Sequence, residues 1–206
     1  MISSMSRRKL LLIGFGLVGA ITASLLFGWW QVDGPGSPES KTRESKLPLK
    51  IDQMDFSLTD HRGNRVQSTD WIGEPLLVFF GFTYCPDVCP TTLADITSWL
   101  EGLGEGTKSL NVAFITVDPE RDTSEALAAY VENFHPAIVG YTGSRQDIAD
   151  VAAGFHVKYE KIVTGQTYTM NHTAGVFIYD AEGRFVSIID FHEPRENAVP
   201  KIRRAL

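Results

Sequence analysis

Cys85 and Cys89 are the only two cysteines in this 206-residue chain. They stand four positions apart in Gly81-Phe-Thr-Tyr-Cys-Pro-Asp-Val-Cys-Pro90. Two lone thiols that close can form a structural disulfide, exchange electrons with another disulfide, or hold a metal. A structural bridge is the weakest reading, because closing so short a loop removes little chain entropy. Cys-x-x-Cys is the usual redox spacing. One further residue gives two thiolates room to converge on an ion, and a disulfide remains feasible. Two thiolates are soft donors that suit Cu(I). They fall short of the four ligands of a structural zinc site. A metal reading therefore needs a third donor, and histidine is the natural one.

The surrounding pattern shows what must position these groups. Leu76–Phe80 is a continuous apolar run, the mark of a strand buried on both faces. A helix follows from Pro90, with Leu93, Ile96, Leu100 and Leu103 at helical spacing. Pro90 disfavours helical geometry at Cys89 and suits a first helical position. That places Cys89 near the N-cap, where free amide groups and the positive helix end favour its thiolate. Asn111–Val117 is a second buried strand. A helix starts around Asp122-Thr-Ser-Glu125 and runs to about Phe134, Ile138-Val139 is a short strand, and Ser144 opens a helix to about Ala153. Two hairpins flank this core. One joins Phe56–Leu58 to Arg65–Gln67 across Asp60–Asn64, and the other joins Gly175–Tyr179 to Phe185–Ile189 across Asp180–Gly183. A carboxy-terminal helix containing Pro200 closes the chain. This alternation predicts an α/β fold: a central mixed sheet, parallel at its centre and flanked by helices, with an N-terminal hairpin extension. A cysteine motif that ends the first buried strand and opens a helix matches a thioredoxin-like layout.

That layout separates the five histidines. His61 in a hairpin turn, His135 at a helix end, His156 after a helix and His192 after the last strand read as solvated or locally hydrogen-bonded. His172, in Tyr168-Thr-Met-Asn-His172-Thr, stands just before the apolar run at 175–179. That run should lie beside the cysteine-bearing strand, so the segment leading into it faces the thiols. Many thioredoxin-like redox enzymes carry a cis-proline there, whereas this chain has no proline between Ile162 and Asp190. A histidine in its place favours ligation over plain dithiol exchange. Met170 reads as a packing residue.

The amino terminus suggests the setting. Arg7-Arg8-Lys9 precede Leu10–Trp30, which holds no charged residue. As a helix this run is about 31 Å long, enough for a bilayer core; a cleaved signal peptide is the rival reading, although its apolar region is normally shorter and no clean Ala-x-Ala site ends this one. Positive charge before the span and none directly after it predicts residues 1–9 in the cytoplasm and the rest beyond the membrane. Residues 31–49 read as a linker and 50–206 as one domain. Three of the 19 basic residues precede the apolar run, and the 16 that remain against 25 acidic residues leave −9. Nothing in that balance attracts nucleic acid.

Taken together, Gly81–Pro90 with Thr91, Thr116-Val-Asp118-Pro-Glu-Arg121-Asp-Thr, His172-Thr and the single apolar amino-terminal run resemble the Sco/SenC family of copper-handling proteins. The resemblance implies a thioredoxin-like fold binding one copper ion, Cu(I) or Cu(II), through Cys85, Cys89 and His172. It implies a bacterial inner-membrane protein with its carboxy-terminal domain in the periplasm. It also implies work on the copper centre of cytochrome c oxidase, as a metallochaperone or as a thiol reductant of that centre's cysteines. The partners would be the copper-centre subunit of the oxidase and another periplasmic copper chaperone as donor. Asp87, between the cysteines, is expected to receive a hydrogen bond or help dock a partner, and Asp118, at the end of the neighbouring strand, to orient the cysteine loop or to serve as a turn or cap before Pro119. Asn171 departs from the aspartate expected before the ligand histidine, which bears on the Cu(I)/Cu(II) preference. A thiol–disulfide oxidoreductase and a thiol-based redox sensor are the competing readings.

Overall fold

The structure, a computed structural model, describes residues 7–32, 47–104 and 109–206; within its first helix, side chains are described at Phe15 and over 17–30. The chain divides into two compact units, 1–46 and 47–206. The first contains helix α1, Arg7–Val32. Residues 1–6, and positions 33–46 of the expected linker, lie outside the described residues. Among the described residues no helix is long and apolar enough to cross a membrane.

The second unit is built on a seven-stranded mixed sheet. Its strands are β1 Ser57–Asp60, β2 Arg65–Gln67, β3 Leu76–Gly81, β4 Asn111–Thr116, β5 Ile138–Thr142, β8 Val176–Tyr179 and β9 Phe185–Ile189, in spatial order β2-β1-β5-β4-β3-β8-β9. β3, β4 and β5 run parallel, while β1 joins β5 and β8 joins β3 antiparallel. The expected central mixed sheet with an N-terminal hairpin is therefore present. Helices α2 Val88–Leu103, α3 Ser124–Val131, α4 Arg145–Gly154 and α5 Arg195–Arg203 flank it.

Every residue of β3 is buried, because the strand has neighbours on both edges and helices on both faces. Phe79 stacks on Phe114 at 5.9 Å, and Phe114 meets Tyr130 of α3. Phe80, one residue on, points the opposite way and meets Phe155 at the end of α4, as alternation along a strand requires. The hairpin turns follow their side chains. Asp60 Oδ1 accepts the amides of Arg62 and Asn64, with Gly63 at φ +88°, and Asp180 Oδ1 accepts those of Glu182 and Arg184. Helix α5 continues through Pro200.

Two local expectations are corrected. Helix α2 opens at Val88 with Asp87 as N-cap, which puts Pro90 third in the helix; a missing N–H costs nothing in the first turn. Residues 159–172, read only as a segment leading into the next strand, form a separate two-stranded ribbon: β6 Tyr159–Thr164 and β7 Thr167–His172, turning at Gly165, φ +63°.

Candidate metal centre

The sheet and helix α2 bring the cysteines to one point. β3 ends at Gly81, and the chain leaves the sheet through Phe82-Thr83-Tyr84 before α2 begins. A Cβ at Gly81 would stand 2.9 Å from Cys89 Sγ and 2.6 Å from a Phe114 ring carbon. Only glycine lets the strand pass so close under the sulfur. Cys89, second in the helix, is fully buried, and Cys85 is half-buried in the loop before it. The Cys89 backbone N–H donates to Cys85 Sγ at 3.4 Å.

His172 arrives from 83 residues away, as the last residue of β7. Its Nε2 lies 3.5 Å from Cys89 Sγ, and its Nδ1 lies 3.0 Å from the Thr173 carbonyl. A carbonyl only accepts, so this contact takes a proton on Nδ1 and leaves Nε2 as the ring nitrogen turned toward Cys89 Sγ. The edges of Phe79 and Phe82 pack against the ring, with centroids at 6.2 and 5.9 Å. A cleft of about 200 Å³ opens beside the group, lined by Cys85, Asp87, Met170 and His172 among others. Among the described residues no three His, Cys, Asp or Glu side chains are closed into a metal cage. The donors stand as a loose half-open set of two sulfurs and one imidazole nitrogen. Their softness fits copper, and one side open to solvent leaves a path for an incoming ligand.

The two thiols are electrostatically unlike. A hydrogen bond from the Cys89 side chain, helped by the backbone amides of Asp87 and Cys89 and opposed by partial burial, holds the Cys85 thiol down at about 5. Its hydrogen bond to Cys85, and then its own burial, push the Cys89 thiol well up. The expected preference for thiolate at Cys89 is thus reversed, because buried Cys89 donates its S–H to Cys85 Sγ, to which the helix-start amides also point. Since the thiolate is the nucleophile, the reduced protein should alkylate at Cys85 with a rate that climbs as pH rises through about 5 and is flat by neutrality. Cys89 should react slowly until strongly alkaline pH. Mass-spectrometric pH profiles at each cysteine check this, and a shared midpoint near the ordinary thiol value would contradict it.

The carboxylates divide their work differently from expectation. Asp87 is exposed, makes no side-chain cap, and is approached by Thr91 Oγ1 at 3.5 Å. Asp118, 2% exposed, pairs with Arg121 Nε and accepts the Tyr168 hydroxyl at 2.9 Å. It therefore grips the ribbon that carries His172, not the cysteine loop. The cysteine loop is held by Asp122, which accepts the Thr83 N–H at 3.0 Å, the Thr83 hydroxyl at 2.6 Å and the Thr116 hydroxyl at 2.6 Å. Burial pushes its carboxyl up, against the pull of those three donors. In the sequence Asp122 stands only as the start of a helix; its place in the motif Thr116–Thr123 is the one signal that singles it out. Asn171 donates to Glu160 across the ribbon at 3.0 Å. Of the remaining histidines, His61 and His135 each use Nδ1 to accept a backbone amide, from Gly140 and Ala137.

A model of the SCO1/SenC family matches residues 45–206. The chain belongs to the SCO1/SenC family. The bovine mitochondrial SCO2 homologue is 33% identical over 195 residues, spanning 91% of this chain and 73% of the relative. Bradyrhizobium japonicum ScoI, solved with copper bound, is 38% identical at a TM-score of 0.70, over 77% of this chain and 99% of that one. Yeast Sco1, also solved with copper bound, is 30% identical at a TM-score of 0.68, over 76% and 87%. The expected membership in the Sco/SenC family, read from the two motifs and His172, is thereby met.

Proposed function

We propose that this Sco/SenC protein carries one copper ion on Cys85, Cys89 and His172 and passes it toward the copper centre of cytochrome c oxidase. The observation that carries the reading is His172 Nε2, turned toward the thiols and 3.5 Å from Cys89 Sγ, while Nδ1 is taken up by the Thr173 carbonyl. A dithiol that only exchanged electrons would need no imidazole lone pair there. Copper-bound relatives at 30% identity or more support the choice of metal. Cu(I) tolerates low coordination, and the half-open arrangement lets the thiolates of an acceptor displace the three donors one at a time. Asp87, exposed between the cysteines, is placed to meet such a partner.

The protein works, in this reading, from the bacterial inner membrane, with its second unit in the periplasm. Large apolar side chains on all sides of α1, from Phe15 to Phe27, are exposed, and an all-round apolar helix needs lipid or protein around it. Together with the uncharged stretch 10–30 this supports an anchor. Alkaline carbonate should leave the full chain in the membrane pellet, and extraction into the supernatant would overturn the anchor.

One observation favours a second reading. A low-pKa Cys85 beside a protonated Cys89 is also the asymmetry of a thiol reductant. Cys85 thiolate would attack an oxidised pair in the oxidase subunit, forming a mixed disulfide and releasing one thiolate. Cys89, losing its proton, would then displace the other, leaving Cys85–Cys89 oxidised by two electrons. Complementation separates the two readings. In a strain lacking the protein, His172→Ala should fail to restore a copper-loaded oxidase, and added copper should rescue it. Full activity of His172→Ala without added copper would favour reduction.

A further inference from the structure

The three candidate ligands sit on two arms with no backbone ladder between them. The cysteine loop leaves β3 of the large sheet, and His172 ends a strand of the separate ribbon. Something must fix the gap between the arms. Among the described residues, and apart from the approach of Cys89 to His172 itself, the hydrogen bonds and ion pairs tying the ribbon strands to the sheet come from Asp118, Glu120 and Arg121.

Arg121 alone of these reaches both arms. Its guanidinium carbon lies 3.8 Å from the Tyr168 ring centroid and 4.6 Å from that of Tyr84, with Phe82 at 6.0 Å. Nη1 donates to the Tyr168 carbonyl at 3.1 Å, and Nε pairs with Asp118, whose other oxygen takes the Tyr168 hydroxyl. Nη2 is buried without a partner, so the group is held there by stacking and by its other nitrogens. Tyr84 immediately precedes Cys85. Tyr168 precedes His172 by four residues on the same side of β7, where 168, 170 and 172 are the half-buried positions.

We infer that Arg121 is a positioning residue for the metal site: by clasping Tyr84 and Tyr168 it sets the separation between His172 and the two sulfurs. The inference rests on the three-ligand reading of the site. Arg121 acts through both arms and lies apart from the donor atoms themselves. The clasp requires a planar cation that stacks and hydrogen-bonds in a fork at once, which a lysine ammonium cannot supply. The alternative is that Arg121 only pairs with Asp118 and stabilises the fold.

The test has one arm without metal and one with it. In the copper-free full-length chain, Arg121→Leu should speed amide hydrogen exchange over 168–172 by about tenfold, the scale of the lost stacking contacts, with exchange in α2 unchanged. Tyr84→Leu, at a side chain 64% exposed and so dispensable to folding, should weaken Cu(I) binding in the same direction. With Cu(I), measured by competition with a chromophoric chelator, Arg121→Leu should lose about tenfold in affinity and Arg121→Lys should not restore it. Arg121→Leu combined with His172→Ala should bind no more weakly than His172→Ala alone. Unchanged ribbon exchange, or strictly additive losses in the double variant, would overturn the clasp. A parent chain that binds no copper would overturn the proposed function instead, and the exchange result would still decide the clasp.

Discussion

Replacing Cys85, Cys89 or His172 with alanine should each weaken copper binding steeply while leaving the fold in place. Four-ligand metal sites in small domains contribute about 10–16 kcal/mol, so one donor is worth about 2.5–4 kcal/mol, or roughly 10²–10³-fold in Kd. The thiolates bring negative charge as well as soft sulfur, so the cysteine variants should lose most of the Cu(I) affinity. His172→Ala should be felt most with Cu(II), for which imidazole is the better matched donor. Folding should change little. Cys85 is half-buried in a loop, and His172 ends a ribbon outside the main sheet. Cys89→Ala removes only a sulfur from the core, a cost of about 1 kcal/mol. Chelator competition alongside thermal melts checks both halves, and a variant that keeps the parent's affinity for both oxidation states would remove its residue from the ligand set.

Asp122→Ala should damage stability and site together. The Asp122 side chain is fully buried and takes three hydrogen bonds. Without it the Thr83 amide and hydroxyl and the Thr116 hydroxyl lose their acceptor in the interior. Unmade buried bonds cost about 1–3 kcal/mol each, partly offset here because a buried carboxylate no longer has to be accommodated; a net loss of about 2–3 kcal/mol follows. Thr83 lies two residues before Cys85, so its release frees the cysteine loop and should weaken copper binding by about 10–100-fold, as loss of an outer support does. pH separates charge from hydrogen bonding. Burial raises the Asp122 carboxyl above its unfolded value. Its contribution to stability is therefore fully present below the unfolded value and declines as pH rises through the folded one. Asp122→Asn cannot ionise, so it should compare better with the parent at pH 7 than at pH 4 in denaturant melts. The reverse trend would mean that the carboxylate is stabilised where it sits.

Much of the framework was legible because burial leaves a plain trace in sequence. Leu76–Phe80 and Val112–Ile115 are apolar throughout because both faces of the central strands are covered, and Asp60 and Asp180 mark their turns by the amides they accept. The cysteines and His172 could be brought together because β8 lies beside β3, so whatever leads into β8 must pass the end of β3. The ribbon was not legible. It packs one half-buried face, so Tyr168, Met170 and His172 alternate weakly with polar residues, and Tyr159–Thr164 is exposed almost throughout. The order of the thiol pKa values was missed for a related reason. It depends on the Cys89 side chain being buried and donating to Cys85 Sγ, a contact between side chains that the position of the helix start does not reveal. Nor does any periodicity link Thr83 to Asp122 or Tyr84 to Arg121, 39 and 37 residues apart; such ties are made by the fold.

The most direct measurement is X-ray absorption at the copper edge of the Cu(I)-loaded protein and of its His172→Ala variant. The account predicts two sulfur scatterers and one imidazole nitrogen in the parent, with the nitrogen lost in the variant and both sulfurs kept. An unchanged spectrum in His172→Ala, or a parent with sulfur ligation alone, would contradict a site built from both arms.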